Sequence, residues 1–156
     1  MYTVGIDIDD TIVESQPRWE KHMGEQPENT IDDFFRQPDV YDNINIDSAI
    51  ITHIKELSEI CNIVFISACF DEHITSKKNM LERAFSSIQY DFINSRTKFE
   101  VPVDYMIDDR EKVLDNMPVH VMCLKAKLPG VTSEKYKVLS WDKIYETIKK
   151  DINART

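Results

Sequence analysis

The stretch Val4-Gly5-Ile6-Asp7-Ile8-Asp9-Asp10-Thr11 passes from an apolar run directly into a cluster of acids. Val4, Ile6 and Ile8 are β-branched, and the run is too short for a typical helix, which predicts a buried strand over 2–8. Asp7 and Asp9 fall where that strand runs out. Side chains alternate along a strand, so these two carboxylates project to the same side as the chain leaves the sheet and can share one site. Carboxylates crowded together in an apolar setting repel one another unless a divalent cation or unequal protonation relieves the conflict. The stretch therefore implies a metal or acid-base chemistry.

Three later features supply what such a site lacks. The run 62–66 ends in Ser67, the run 103–107 ends in Asp108-Asp109, and Arg96-Thr97-Lys98 lies between them. In open parallel α/β sheets ligands bind at the carboxyl ends of the strands, so features far apart in sequence can converge there. The ordered series D-x-D-x-T, strand-end Ser, Lys and strand-end Asp pair resembles the haloacid dehalogenase-like phosphatase superfamily. Within it the chain is most similar to the 5'(3')-deoxyribonucleotidases. The segment Ser95 to Arg110, S-R-T-K-F-E-V-P-V-D-Y-M-I-D-D-R, resembles that family's Arg-x-Lys segment leading into its acidic pair. Asp33-Phe34-Phe35-Arg36 is similar to its F-F-R stretch. The chain departs from the family pattern at Ser15, where an aromatic residue is frequent, and at Ser67-Ala68, where Thr-Ser is usual.

The resemblance implies magnesium-dependent hydrolysis of a phosphomonoester, a nucleoside monophosphate, through an aspartyl-phosphate. Asp7 is then the nucleophile, and Asp9 is the acid that protonates the leaving alkoxide and later the base that activates water. Mg2+ is expected on the Asp7 carboxylate, the backbone carbonyl of Asp9 and the pair Asp108 and Asp109, an oxygen-only shell suited to a hard cation. Ser67 and Lys98 are expected on the transferring phosphoryl group, and Arg96 on the substrate phosphate. Thr11 is expected to fix the turn and to stand on the substrate side, whereas Asp10 is read as structural or solvent-facing. Lys77 and Lys78 compete with Lys98 for the catalytic lysine. The Arg-x-Lys spacing favours Lys98 and leaves the other two on a solvated helix face. Phe34 and Phe35, with Trp19 and Tyr41, offer flat surfaces on which a base can stack, although such rings can equally form a local core.

Alternating strands and helices predict an α/β, Rossmann-like three-layer sandwich with a mainly parallel sheet, in one domain over 1–156. Between the first strand and the rest of the core, residues 13–46 show no strand alternation and read as a small helical cap. A helix begins near Glu14-Ser15-Gln16-Pro17 and a short one follows Asn29 or Thr30. Downstream, helices are expected from Asp47, over 72–85, over 111–114 and from Ser140. Strands are expected to end at Ser67 and over 90–93, 103–107, 119–124 and 137–139.

Composition narrows the function. At 42% hydrophobic and 30% charged residues the chain is globular, and no apolar run approaches a membrane span. The sequence enters a strand at once without a basic, apolar leader, so a cytoplasmic location is expected. Cys61, Cys69 and Cys123 show no C-x-x-C spacing and read as buried thiols. A net charge of -9 disfavours stable nucleic-acid binding and counts against the alternative of a polynucleotide 3'-phosphatase. Another small-molecule phosphatase is a further alternative. With Gly only at 5, 24 and 130, the glycine-built triphosphate and dinucleotide cradles are excluded. A phospho-receiver module is disfavoured by order, because its phosphorylated Asp precedes the Ser or Thr, whereas Ser67 precedes Asp108 here. The histidines form no spaced pair and no Ser-His-Asp arrangement is readable.

Overall fold

Six strands form one all-parallel sheet in the order β3-β2-β1-β4-β5-β6 in the computed structural model, which describes residues 1–156. They are β1 Tyr2–Ile6, β2 Cys61–Ser67, β3 Asp91–Asn94, β4 Tyr105–Ile107, β5 Met122–Ala126 and β6 Lys137–Leu139. β1 lies between β2 and β4, so the chain winds outward one way through β2 and β3 and then returns to continue on the other side. That reversal makes the carboxyl end of β1 the switch point of the sheet, where a crevice opens.

Alternation divides the strand residues between two cores. Val4, Ile6, Ile63, Phe65 and Ile107 face the larger one, together with apolar faces of α3 (Ser48–Ser58), α4 (Ile74–Phe85) and α6 (Trp141–Arg155). α3 starts because Asp47 caps it, its carboxylate accepting from the Ala49 amide at 2.8 Å, and it buries Ile50, Ile54 and Leu57 at helical spacing. Val64, Ile66, Val103 and Met106 face the smaller core, closed by Leu114 of α5 (Glu111–Asp115), Met117 and Val121. The sandwich is thus thick on one side and thin on the other. Gly5 belongs to the thin side, where a β-carbon would stand 2.9 Å from Ile66 Cδ1 and Met106 S, so its neighbours already fill its slot.

Two strands start later than the sequence pattern suggests. The Asp104 carboxylate accepts from the Thr3 amide at 2.8 Å in place of a backbone carbonyl, and regular pairing in β4 begins at Tyr105. Val119 is fully solvent-exposed, the Val121 amide turns back to the Pro118 carbonyl, and β5 begins at Met122. β1 is shorter at its far end because the Ile8 carbonyl accepts from Thr11, Ile12 and Val13 and winds the chain into a tight turn. No helix is long and apolar enough to cross a membrane.

Between β1 and α3 lie α1 (Gln16–Glu25) and α2 (Ile31–Phe35). Pro17 occupies the first turn of α1, and a reciprocal capping box of Thr30 and Asp33 starts α2. Phe34, Val40, Tyr41 and Ile46 from this segment are buried in the larger core, which seats the segment firmly on the sheet.

Candidate active site

Register alone brings the strand-end residues together. Ile6 pairs with both Phe65 of β2 and Ile107 of β4, so Asp7 emerges beside Asp108, and Ser67 stands on its other flank. The Asp7 amide still donates to the Ile107 carbonyl at 2.9 Å, and the Asp108 amide to the Leu124 carbonyl at 3.2 Å. Carboxyl oxygens of Asp7, Asp108 and Asp109 all lie within 4.8 Å of one another. Lys98, on a 3-10 turn after β3, projects its ammonium into this group, 2.7 Å from Asp7 Oδ1 and 2.7 Å from Asp108 Oδ2.

Asp108 and Asp109 differ in surroundings. Asp108 is wholly enclosed, with one oxygen accepting from Lys98 and the other from the Arg110 amide at 2.9 Å. Asp109 is partly exposed and lines the cavity. Burial and the charge of Asp7 push Asp108 up to about 6, against the pull of Lys98. Burial and the charges of Asp7 and Asp108 push Asp109 up to about 9. Burial works to lower the pKa of Lys98, but Asp7 and Asp108 outweigh it and hold the ammonium above its ordinary range. One lysine does not neutralise three crowded acids. The donor set, all oxygen and in excess of its counter-charge, fits a hard divalent cation.

Asp9 stands apart from that cluster. Its Oδ1 accepts from Ser15 Oγ at 2.5 Å and Tyr41 Oη at 2.8 Å, and its Oδ2 from Tyr41 Oη at 2.9 Å and Lys77 Nζ at 2.9 Å. Burial would raise its pKa, but the charge of Lys77 and the donors Ser15, Lys77 and Tyr41 hold it below the usual carboxylate range. Lys77 Nζ also lies 2.6 Å from Ser67 Oγ and therefore bridges Asp9 to the end of β2.

The arrangement corrects several readings of the sequence. Lys77 is 1% exposed and points inward from the opening turn of α4, so the solvated-face reading fails for it. It holds for Lys78, which is exposed with its ammonium 5.4 Å from the Phe92 ring centre. Thr11 is fully buried behind Asp7, its hydroxyl donating to Asp7 Oδ2 at 3.1 Å, and does not reach the cavity. Phe34 is buried against the rings of His22 and Phe35 and takes no part in the cavity wall, whereas Phe35 and Trp19 do. Tyr41 is also buried, and its hydroxyl serves Asp9 instead of its face serving a ligand. Asp10 adopts a left-handed backbone with φ 58° and accepts from the amides of Ser15 and Gln16, which starts α1. Such a φ is tolerated by Asp in turns.

These groups surround a cavity of about 330 Å³. Asp7, Asp9, Ser67, Lys77, Lys98 and Asp109 form its floor, Trp19, Ile31 and Phe35 from the α1–α2 segment and Phe70 form apolar wall, and Arg96 and Arg110 line it as well. His73 packs nearby against Tyr41 and Phe35, its Nε2 accepting from the Phe70 amide at 3.0 Å. Burial and the charge of Lys77 lower its pKa to about 4, which keeps it neutral.

An all-parallel sheet with an acidic pair leaving its central strand, a Ser on one flank and acids on the other has the fold of a haloacid dehalogenase-like domain. The structure is similar to the haloacid dehalogenase-like domain of effector protein Lem4 from Legionella pneumophila, with a TM-score of 0.50 and 19% identity over 96% of this chain and 94% of that one. At that identity the likeness concerns the fold alone. Residues 7–156 match the family described as 5' nucleotidase, deoxy (Pyrimidine), cytosolic type C, and the chain belongs to that family. It is an enzyme of the phosphatase class, of nucleotidase type. No curated protein sequence matches the chain.

Proposed function

We propose that the protein is a magnesium-dependent 5'(3')-deoxyribonucleotidase that releases phosphate from nucleoside monophosphates through an aspartyl-phosphate on Asp7. The observation that carries this reading is the convergence of Asp7, Asp108 and Asp109 within 4.8 Å at the floor of a cavity whose wall is partly aromatic. Its volume, about 330 Å³, lies at the small end of the roughly 300–1,000 Å³ of small-molecule sites. That space suits a mononucleotide and not a strand, in keeping with the charge of -9.

The residues divide the work. Mg2+ would be held by the Asp7 carboxylate, the Asp9 carbonyl and Asp109, whose side chain lines the cavity, whereas Asp108 is wholly enclosed and does not. When bound it supplies charge neutralisation that lets an anionic carboxylate meet an anionic ester. Asp7 attacks phosphorus, and Asp9 gives a proton to the departing sugar oxygen and then removes one from water. Ser67, Lys77 and Lys98 ring the position of the phosphoryl oxygens and offset the charge that spreads over them in the transition state. Arg96, with no ion pair of its own, attracts the dianion to the mouth. Residues 13–46 act as a cap whose underside presents Phe35 and Trp19 to the base.

The test is phosphate release by purified protein from a panel of nucleoside 5'- and 3'-monophosphates, sugar phosphates, 3'-phosphorylated oligonucleotides and p-nitrophenyl phosphate, with Mg2+ and with chelator. Turnover is expected with Mg2+ only, fastest on deoxynucleoside monophosphates, and within the cytoplasm such a reaction meets its substrate. Undiminished turnover in chelator, or a preference for sugar phosphates, would contradict the proposal.

The two neighbouring phenylalanines should behave differently. Phe35→Ala removes a stacking surface worth about 1–3 kcal/mol, so KM for a nucleotide should rise roughly 5- to 150-fold while p-nitrophenyl phosphate is little affected. Phe34→Ala empties a core position and should cost about 3–5 kcal/mol of stability, seen in a denaturation curve. Equal KM effects of Phe35→Ala on both substrates would remove that ring from base recognition.

A further inference from the structure

We infer that Asn94 is a positioning residue for the nucleoside end of the substrate: its carboxamide holds the turn Ala68-Cys69-Phe70 in the shape that presents Phe70 to the active-site cavity. The inference rests on the nucleotidase reading above and goes beyond it in giving a side chain outside that cavity control of one of its walls. The turn is a partition. Ala68, Cys69 and Phe70 line the active-site cavity, and Cys69 and Phe70 also line a second cavity of about 450 Å³ together with Asn94, Ser95 and Arg36. A segment shared by two cavities is packed closely on neither face, so its backbone partners decide where it stands.

Those partners are side chains. Up to Ser67 the sheet fixes the chain, because Ser67 is in register with Asn94 of β3 and its carbonyl accepts from the Ser95 amide at 2.9 Å. From Ile74 onward α4 takes over. Between them the Cys69 amide donates to Asn94 Oδ1 at 3.0 Å, and the Cys69 carbonyl accepts from Asn94 Nδ2 at 3.2 Å. The Phe70 amide donates to His73 Nε2 at 3.0 Å. A carboxamide offers one acceptor and one donor, as a peptide group does, so Asn94 extends the sheet sideways beyond the end of β2. Asp, with two acceptors, and Leu, with neither donor nor acceptor, lack that pair.

What the clamp sets is the place of Phe70. Its ring meets His73 edge-on at 6.0 Å, and His73 meets Phe35 at 6.4 Å, so rings from the core and from the α1–α2 segment continue one aromatic wall. The guanidinium groups of Arg36 and Arg96 lie 4.2 Å and 5.8 Å from the centre of the Phe70 ring. The phosphoryl end of the site is anchored without Asn94, Ser67 by the sheet, Lys77 by α4 and Asp9, and Lys98 by Asp7 and Asp108. Loosening the turn therefore reaches the nucleoside end and spares the chemistry.

Asn94→Leu keeps the size of the side chain and removes both bonds, and Asn94→Asp is the second variant should an apolar residue at the sheet edge cause aggregation. Each is expected to raise KM for a deoxynucleoside monophosphate about 5- to 50-fold, with kcat at saturation and both constants for p-nitrophenyl phosphate within about twofold of wild type. Asn94 is exposed, so Tm should hardly move. In a Phe70→Ala background, Asn94→Leu should add less than about twofold, because its effect runs through that ring. A merely structural role would lower Tm and depress both substrates alike, and that pattern, or full additivity with Phe70→Ala, overturns the inference. If wild type releases phosphate from no nucleotide, the nucleotidase reading falls and this one with it. If wild type is nucleotide-selective and both Asn94 variants match it, this inference alone fails.

Discussion

Asp7→Asn should yield a folded protein whose phosphate release is at least about 10,000-fold below wild type, the scale on which loss of a covalent nucleophile is felt. The substitution keeps the volume of the side chain and its contact with Thr11, and the Lys98 ammonium keeps Asp108 as its partner. It also removes one of three crowded acids, and the charge of Asp7 is a cause of the raised pKa of both Asp108 and Asp109. Stability should therefore hold or rise while chemistry disappears. The pair of measurements is a chemical denaturation curve and single-turnover phosphate release with Mg2+ present. Activity within a hundredfold of wild type would mean that water, and not Asp7, attacks phosphorus.

Asp7, Ser67 and the Asp108-Asp109 pair were legible in the sequence for one reason: each closes a largely apolar run, and parallel register converts that shared position into proximity. The sheet, and helices such as α3 with its Asp47 cap, were legible on the same periodic grounds. What periodicity could not supply was the depth of residues in the α1–α2 segment. α2 has only five residues, so no repeat distinguishes Phe34, which turns into the core, from Phe35, which turns to the cavity about 100° further round the helix. Tyr41 lies in no regular element, and nothing local marks its hydroxyl as the partner of an acid 32 residues earlier. The signal at Lys77 existed and was of another kind. A cation in the opening turn of a helix opposes the macrodipole by about 0.3–1 kcal/mol, and a local preference broken without visible compensation marks a functional position. Its compensation is Asp9, contributed from beyond the end of β1.

Removing either lysine should therefore cripple catalysis, but only one removal should also endanger the fold. Lys98 is 4% exposed and shared between two acids that are themselves 9% and 0% exposed at the side chain. Lys98→Ala leaves those charges facing one another without a counter-ion, and breaking a buried pair in this way costs about 3–5 kcal/mol. Lys77→Ala strands a carboxylate that is 26% exposed and keeps two hydroxyl donors, so its stability cost should be well below that of Lys98→Ala. Both lysines line the cavity in which the phosphoryl group is proposed to sit, and loss of one donor to such a group typically lowers kcat about 100- to 1,000-fold. Adding Mg2+ separates the two cases further. One of the acids stranded by Lys98→Ala, Asp7, belongs to the proposed metal site, so the ion should restore part of the lost stability there and, measured as a shift in Tm, should do more for that variant than for Lys77→Ala. Equal Mg2+ shifts in both variants would mean that the cation does not bind at Asp7 and Asp109, whereas a Lys77→Ala protein with near wild-type kcat would return the catalytic charge to Lys98 alone.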